Sequence, residues 1–102
     1  MANIKLIKFT SGEEIIAEIL TETEGVLTIK NGVTLVYHQT EKGTVSVGFS
    51  PFMPYSEGHI ALNDISITGQ AEVKQELLNE YNRIYGSGIV IATGNDQAFK
   101  TQ

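Results

Sequence analysis

"HIALNDISITG", residues 59–69, decides what kind of chain this is. Ile60 and Leu62 share one parity of an extended chain, whereas Ile65 and Ile67 share the other. Both pairs can face one core only if the alternation is reset between them. Asn63 and Asp64 stand at that point, and both residue types favour turns. The stretch therefore reads as a strand, a turn or bulge, and a second strand, which is how a sheet bends at the corner of a small barrel.

Upstream the same period of two recurs. "IKLIKF" is apolar and partly β-branched, and "TSGEE" follows it as a turn. In "EEIIAEIL", Ile15, Ala17 and Ile19 share a core face, with Glu14 and Glu18 on the other beside Ile16 and Leu20. "TETEG" is polar and ends in glycine, so a hairpin is expected there, leading into "VLTIKN". After Gly32, "VTLVYHQT" is a further β-rich run, and "TVSVGFS" alternates with Val45, Val47 and Phe49 inward.

Downstream the period changes. "AEVKQELLNEYNRIYG" places Val73, Leu77, Leu78, Tyr81, Ile84 and Tyr85 on one helical stripe, with Glu72 and Glu76 near its start and Arg83 in its last turn. A helix over 71–85 is expected, with Gly86 as its C-terminal stop. "GIVIA" adds a short strand, and residues 93–102 read as a flexible polar tail, which leaves one domain over 1–92. Several short strands and one helix make a mainly β protein built on a small barrel. The exposed edges of such a barrel invite pairing with another subunit.

Composition narrows the partners. The 102 residues carry seven Lys and Arg against twelve Asp and Glu, a net charge of −5, with the basic residues scattered. That disfavours a broad phosphate-facing surface but leaves room for a small local site. There is no cysteine, hence no disulfide or thiolate metal site. The N-terminus lacks a leader-like apolar segment, and no run approaches membrane-spanning length, so a soluble, cytoplasmic protein is expected.

Catalytic signatures fail one by one. His38 and His59 belong to no metal-ligand spacing, no nucleophile elbow surrounds a serine, and Glu13, Glu14 and Glu18 read as solvated carboxylates. "GSGIV", at Gly86–Val90, follows a helix and lacks the lysine of a phosphate loop. No enzyme, metal or cofactor is expected. What remains is "FSPFMPYSEGHI", residues 49–60, which holds both prolines and two of the four phenylalanines. Phe52, Met53 and Tyr55 there form a stacking platform, or else Phe52 and Met53 plug the barrel end or a subunit interface.

Taken together, "SGEEIIAEI" after an apolar first strand, "PFMPYSEG" before "HIALNDISI", and "YNRIYGSGIV" after the helix span most of the chain in a set order. In this the chain resembles the Sm-like proteins of marine phage and metagenomic sequences, of cyanophage origin. The resemblance implies a strongly bent five-stranded barrel with one C-terminal α-helix, its subunits joined by edge-strand pairing into a closed homo-oligomeric ring. It also implies binding of single-stranded RNA, or DNA, by loops facing the pore, in the host cytoplasm if the chain is phage-encoded. The helix departs from the family plan by following the strands. The base-binding motifs depart too: Thr23 and Leu27 stand where the family places Asp and Asn, and Asn63 and Asp64 where it places Arg-Gly. The nucleic-acid surface is therefore assigned to Phe52, Tyr55, His59 and Asn63, which offer stacking and hydrogen bonds with little charge. The other reading is a scaffold or host-protein interaction module of phage assembly that binds no nucleic acid.

Overall fold

A computed structural model describes residues 3–85. The chain divides into two compact units, residues 1–72 and residues 73–102. The first holds β1 (Ile4–Phe9), β2 (Glu14–Thr23), β3 (Val26–Gln39), β4 (Val45–Pro51), β5 (Ile60–Asn63), a 3-10 turn (Asp64–Ser66) and β6 (Ile67–Ala71). The second holds α1 (Gln75–Tyr85). Among the described residues six strands form one antiparallel sheet, where five were expected. The expected strand in "GIVIA", the Gly86 stop and the tail lie outside the described residues.

The extra strand arises at the proline-rich stretch. The sheet path runs β4-β3-β2-β1-β6, and β5 also pairs with β3. On β3, residues Val33 to Gln39 pair with β4 and Val26 to Ile29 pair with β5. β4 and β5 thus follow one another along the same side of β3, separated by residues 52–59. They amount to a single strand interrupted by an excursion.

The runs on either side of Gly32 are one long strand, not two. Ile16 pairs with Val33 and Glu18 with Lys30, so β3 carries one extra residue there, and Asn31 takes φ 56° within it. Such a bulge bends the strand and flips its parity. Before it, Leu27 and Ile29 face the main core. After it, Val33 and Leu35 face the opposite side, where Val33 pairs across from Ile16. Both Ile16 and Val33 are buried, so this sheet keeps apolar side chains from water on both faces.

A second irregularity compensates for the first. Ile19 pairs with Ile29 and Thr21 with Thr28, which makes Leu20 the extra residue on β2. Beyond it the even positions face inward, and Glu22 lies directly across from Leu27. The hairpin closes through Glu24 (φ 50°) and Gly25 (φ 82°), the two positive-φ positions that a tight two-residue turn requires.

Connectivity forces the sheet to curl. Along β5-β3-β2-β1-β6, the first and last strands would lie about 19 Å apart if flat, at roughly 4.8 Å per strand. Yet they are joined by only Asp64–Ser66, and four steps from Asn63 to Ile67 reach at most about 14 Å. The core fills the resulting concavity: Ile7, Phe9, Ile15, Ala17, Ile19, Leu27, Ile29 and Leu62 are buried together, with Phe52, Ile60 and Ile67 packed against them. The curl does not close into a hydrogen-bonded barrel. Among the described residues, β4 pairs only with β3 and β6 only with β1.

The helix has the expected stripe but starts later than 71. Ala71 is still paired with Leu6 in the β6–β1 ladder, so the chain stays extended through it. In α1, Tyr81 is buried and its ring lies 5.0 Å from that of Tyr85. The outer face is supported by Gln75 donating to Asn79 at 2.8 Å and by an Arg83–Glu80 ion pair.

Candidate nucleic-acid interface

The four residues assigned from the sequence do not converge on one site. Phe52 opens the excursion at residues 52–59. Its backbone N–H donates to the Gly32 carbonyl at 3.0 Å, opposite the β3 bulge. Its ring stacks on Phe9, with centroids 5.8 Å apart and planes inclined by 20°. A Cβ on Gly32 would stand 3.3 Å from the Phe52 Cβ, a tight contact that glycine avoids. Phe52 is an anchor into the core.

Tyr55 lies at the other extreme. Met53 (φ 55°) and Pro54 begin a tight turn in which the Ser56 N–H donates to the Met53 carbonyl at 3.1 Å and its hydroxyl to the same oxygen at 2.8 Å. Proline presets the backbone of such a turn. Tyr55, at its tip, is 99% exposed. His59, also exposed, closes the excursion next to β5. Tyr55 and His59 therefore share one loop whose root is pinned by Phe52 and whose tip is held by two hydrogen bonds.

Asn63 sits at the far end of β5, about 13 Å along the strand from His59. There it belongs to a different feature. The Asp64 N–H donates to the Gly25 carbonyl at 2.8 Å, tying the β5–β6 corner to the β2–β3 turn. The β2–β3 turn and the β5–β6 corner are thus brought together. Between them lies a cavity of about 550 Å³, lined among others by Glu22, Leu27, Asp64, Ile67, Gly69 and Gln70.

A comparison with models of known protein families finds no match, and no curated protein matches the sequence. The residues themselves must carry the functional reading.

The charge at the corner is opposite to what a phosphate chain needs. Glu22, Glu24 and Asp64 gather there, and among the described residues the ion pairs are Lys5–Glu72, Lys8–Glu14, Lys30–Glu18 and Arg83–Glu80, none of which neutralises them. Glu22 escaped the sequence reading because nothing in "ILTETEG" betrays the bulge that turns it inward. No group of three or more His, Cys, Asp or Glu among the described residues is arranged to hold a metal ion. None of the described helices is long and apolar enough to cross a membrane.

Two further polar contacts join the start of β2 to β3, one on each face of the sheet. Tyr37 donates its hydroxyl to Glu14 at 2.5 Å, and the Thr34 hydroxyl donates to Glu13 at 3.2 Å. The hydrogen bond to Glu14 pushes the Tyr37 hydroxyl above its ordinary pKa, with partial desolvation and the repulsion of the Glu14 charge acting in the same direction. Glu13 and Glu14 are therefore engaged with hydroxyls of β3. No nucleophile and base are paired here.

Proposed function

We propose that this chain is an Sm-like subunit, of phage origin, that assembles into a closed homo-oligomeric ring and binds single-stranded nucleic acid, RNA foremost, without catalysing a reaction. The observation that carries the reading is the pair of ladder edges at the two ends of one curled sheet, on β4 and on β6, that have no strand partner among the described residues. Each edge presents a row of free backbone donors and acceptors that a second strand satisfies. Because the two edges differ, pairing one subunit's β4 with the next subunit's β6 is a head-to-tail contact, and such contacts close into rings when the rotation permits. Exposed Val45 and Val47 along β4 add apolar area to that contact. Pairing around the ring would also complete the barrel-like enclosure that the single sheet leaves open.

The ligand class rests on the excursion. A ring repeats Tyr55 and His59 once per subunit, and aromatic stacking contributes roughly 1–3 kcal/mol per base with little dependence on sequence. Phe52 serves this surface by fixing the loop, and Asn63 stands apart from it at the acidic corner.

Net charge favours a second reading. With −5 per subunit and carboxylates at the corner, a ring of these subunits also fits a scaffold or protein-interaction role without nucleic acid. Light scattering with and without mixed single-stranded RNA and DNA oligonucleotides separates the two. A ring that gains oligonucleotide mass, and loses that gain in Tyr55→Ala while keeping its size, supports nucleic-acid binding. A ring that takes up neither polymer establishes the scaffold reading, and a monomer sinks both.

A further inference from the structure

Of the asparagines in this chain, Asn31 alone is followed by glycine. In that pairing the side-chain amide lies within reach of the next backbone nitrogen, and glycine has no side chain to obstruct an attack. The fold sets the pair at an irregular point. Asn31 and Gly32 together stand across from the single residue Ala17, where β3 carries its bulge. A ladder is locally disrupted at a bulge, so the pair escapes the regular spacing that holds its neighbours on β3. Asn31 is exposed and takes φ 56°, a left-handed conformation that its short polar side chain tolerates.

Much depends on this point of the strand. The bulge is what sends Leu27 and Ile29 to the main core and Val33 to the other face, all three buried. The Gly32 carbonyl also accepts the Phe52 N–H at 3.0 Å, the bond that roots the excursion. A change of backbone length here reaches both.

We infer that Asn31–Gly32 is a self-modifying site, at which the folded chain converts its own asparagine with water as the co-reactant. The Gly32 backbone nitrogen gives its proton to solvent base and bonds to the Asn31 side-chain carbonyl carbon. The bond from that carbon to the side-chain nitrogen breaks, ammonia leaves, and a cyclic imide results. Water then opens the imide at either carbonyl, and nothing is oxidised or reduced. Opening at the former side-chain carbon yields aspartate on an unaltered backbone, which tolerates the same φ. Opening at the backbone carbon yields isoaspartate, which routes the main chain through the former side chain and lengthens it by one carbon. Both products add a negative charge to a chain already at −5, but only the second changes the backbone of the bulge. Loss of the Gly32–Phe52 bond then releases the root of the loop that carries Tyr55 and His59. The site lies within one subunit and stands whether or not the chain forms a ring or binds nucleic acid.

Incubation of the full chain in mildly alkaline buffer tests it, folded in one arm and unfolded in guanidinium chloride in the other. Cleavage after glutamate at acidic pH releases residues 25–41, and liquid chromatography with mass spectrometry separates the Asn, Asp and isoAsp forms of that peptide. In the folded arm Asn31 should convert ahead of Asn3, Asn63, Asn79 and Asn82, and folding should slow it by less than about a hundredfold. A pair closed within the ladder would react only when the core strand opens, which slows the reaction by more than about a thousandfold. Slowing beyond about a hundredfold, or earlier conversion at one of the other four, overturns the inference. The backbone consequence has its own readout. Amide hydrogen exchange at Phe52 should be about tenfold or more faster in the purified isoaspartyl form, and unchanged in Asn31→Asp, which carries the charge without the added carbon. Equal exchange in the two forms would show that the bulge absorbs the extra carbon, and would overturn the link to the loop.

Discussion

Truncating Phe52 and Tyr55 separately should divide the excursion into a structural root and a tip on which stability does not depend. Complete burial of a phenylalanine makes its replacement by alanine cost about 3–5 kcal/mol. Phe52 is packed against the core but partly exposed, so the low end of that range applies, the loss of its stack on Phe9 included. Phe52→Ala should therefore destabilise the protein by about 2–3 kcal/mol. Tyr55 is 99% exposed, and Tyr55→Ala should fall within about 0.5 kcal/mol of the parent. Equilibrium urea unfolding followed by far-ultraviolet circular dichroism reads the difference, at one fixed protein concentration so that assembly contributes equally. With a slope of about 1–3 kcal/mol per molar urea, Phe52→Ala should move the midpoint down by about 0.7–3 M and Tyr55→Ala by much less. Equal midpoints for the two variants, or a larger shift for Tyr55→Ala, would refute the division.

Three other outcomes follow from positions already described. Ile15→Ala, at a wholly buried site in the main core, should lower stability by about 2–5 kcal/mol in the same urea assay. Glu24→Gly should raise stability by roughly 0.5–1 kcal/mol, because Glu24 holds φ 50° at a turn position that penalises a side chain; a lower melting temperature would contradict that account. Tyr37 is raised above its ordinary pKa in the folded protein, so its contribution is fully present below about pH 10 and is lost as pH climbs through the raised value. Tyr37→Phe should accordingly flatten the fall in melting temperature above pH 10, and an unchanged alkaline slope would show that the Glu14 contact does not matter.

Much of the sheet was legible because period-two alternation is a local property. The inward positions Ile15, Ala17 and Ile19, the hairpin at "TETEG" and a turn at Asn63 and Asp64 could all be read from neighbours in the chain, whereas Val45, Val47 and Ile65, expected to face inward, are exposed. The β3 bulge was not, since a break at Asn31-Gly32 and a bulge through it look alike until β2 supplies the pairing. The same limit hid Glu22. Leu20 and Thr21 continue an ordinary strand pattern, and only the register against Ile29 and Thr28 reveals the inserted residue. Within the candidate surface, Phe52 and Tyr55 were indistinguishable as aromatics flanking prolines. A residue on a distant strand, Phe9, and a glycine on another, Gly32, separate them. Helix onset was misplaced for a related reason: Ala71 has a high helical preference, yet the ladder with Leu6 claims its backbone first.

The interruption between β4 and β5 also gives the molecule a natural grafting point. Both halves are held in register by the same partner strand, so the number of residues between Phe52 and Ile60 is decoupled from the pairing that builds the core. Lengthening a surface connection costs little, about 0.6 kcal/mol for each doubling. A foreign peptide inserted after Tyr55 would leave both ladders in place, and in a ring it would be displayed once per subunit, at positions set by the assembly. Variation in ligand preference among chains of this design would then arise from loop length and content, without any change to the strands beneath.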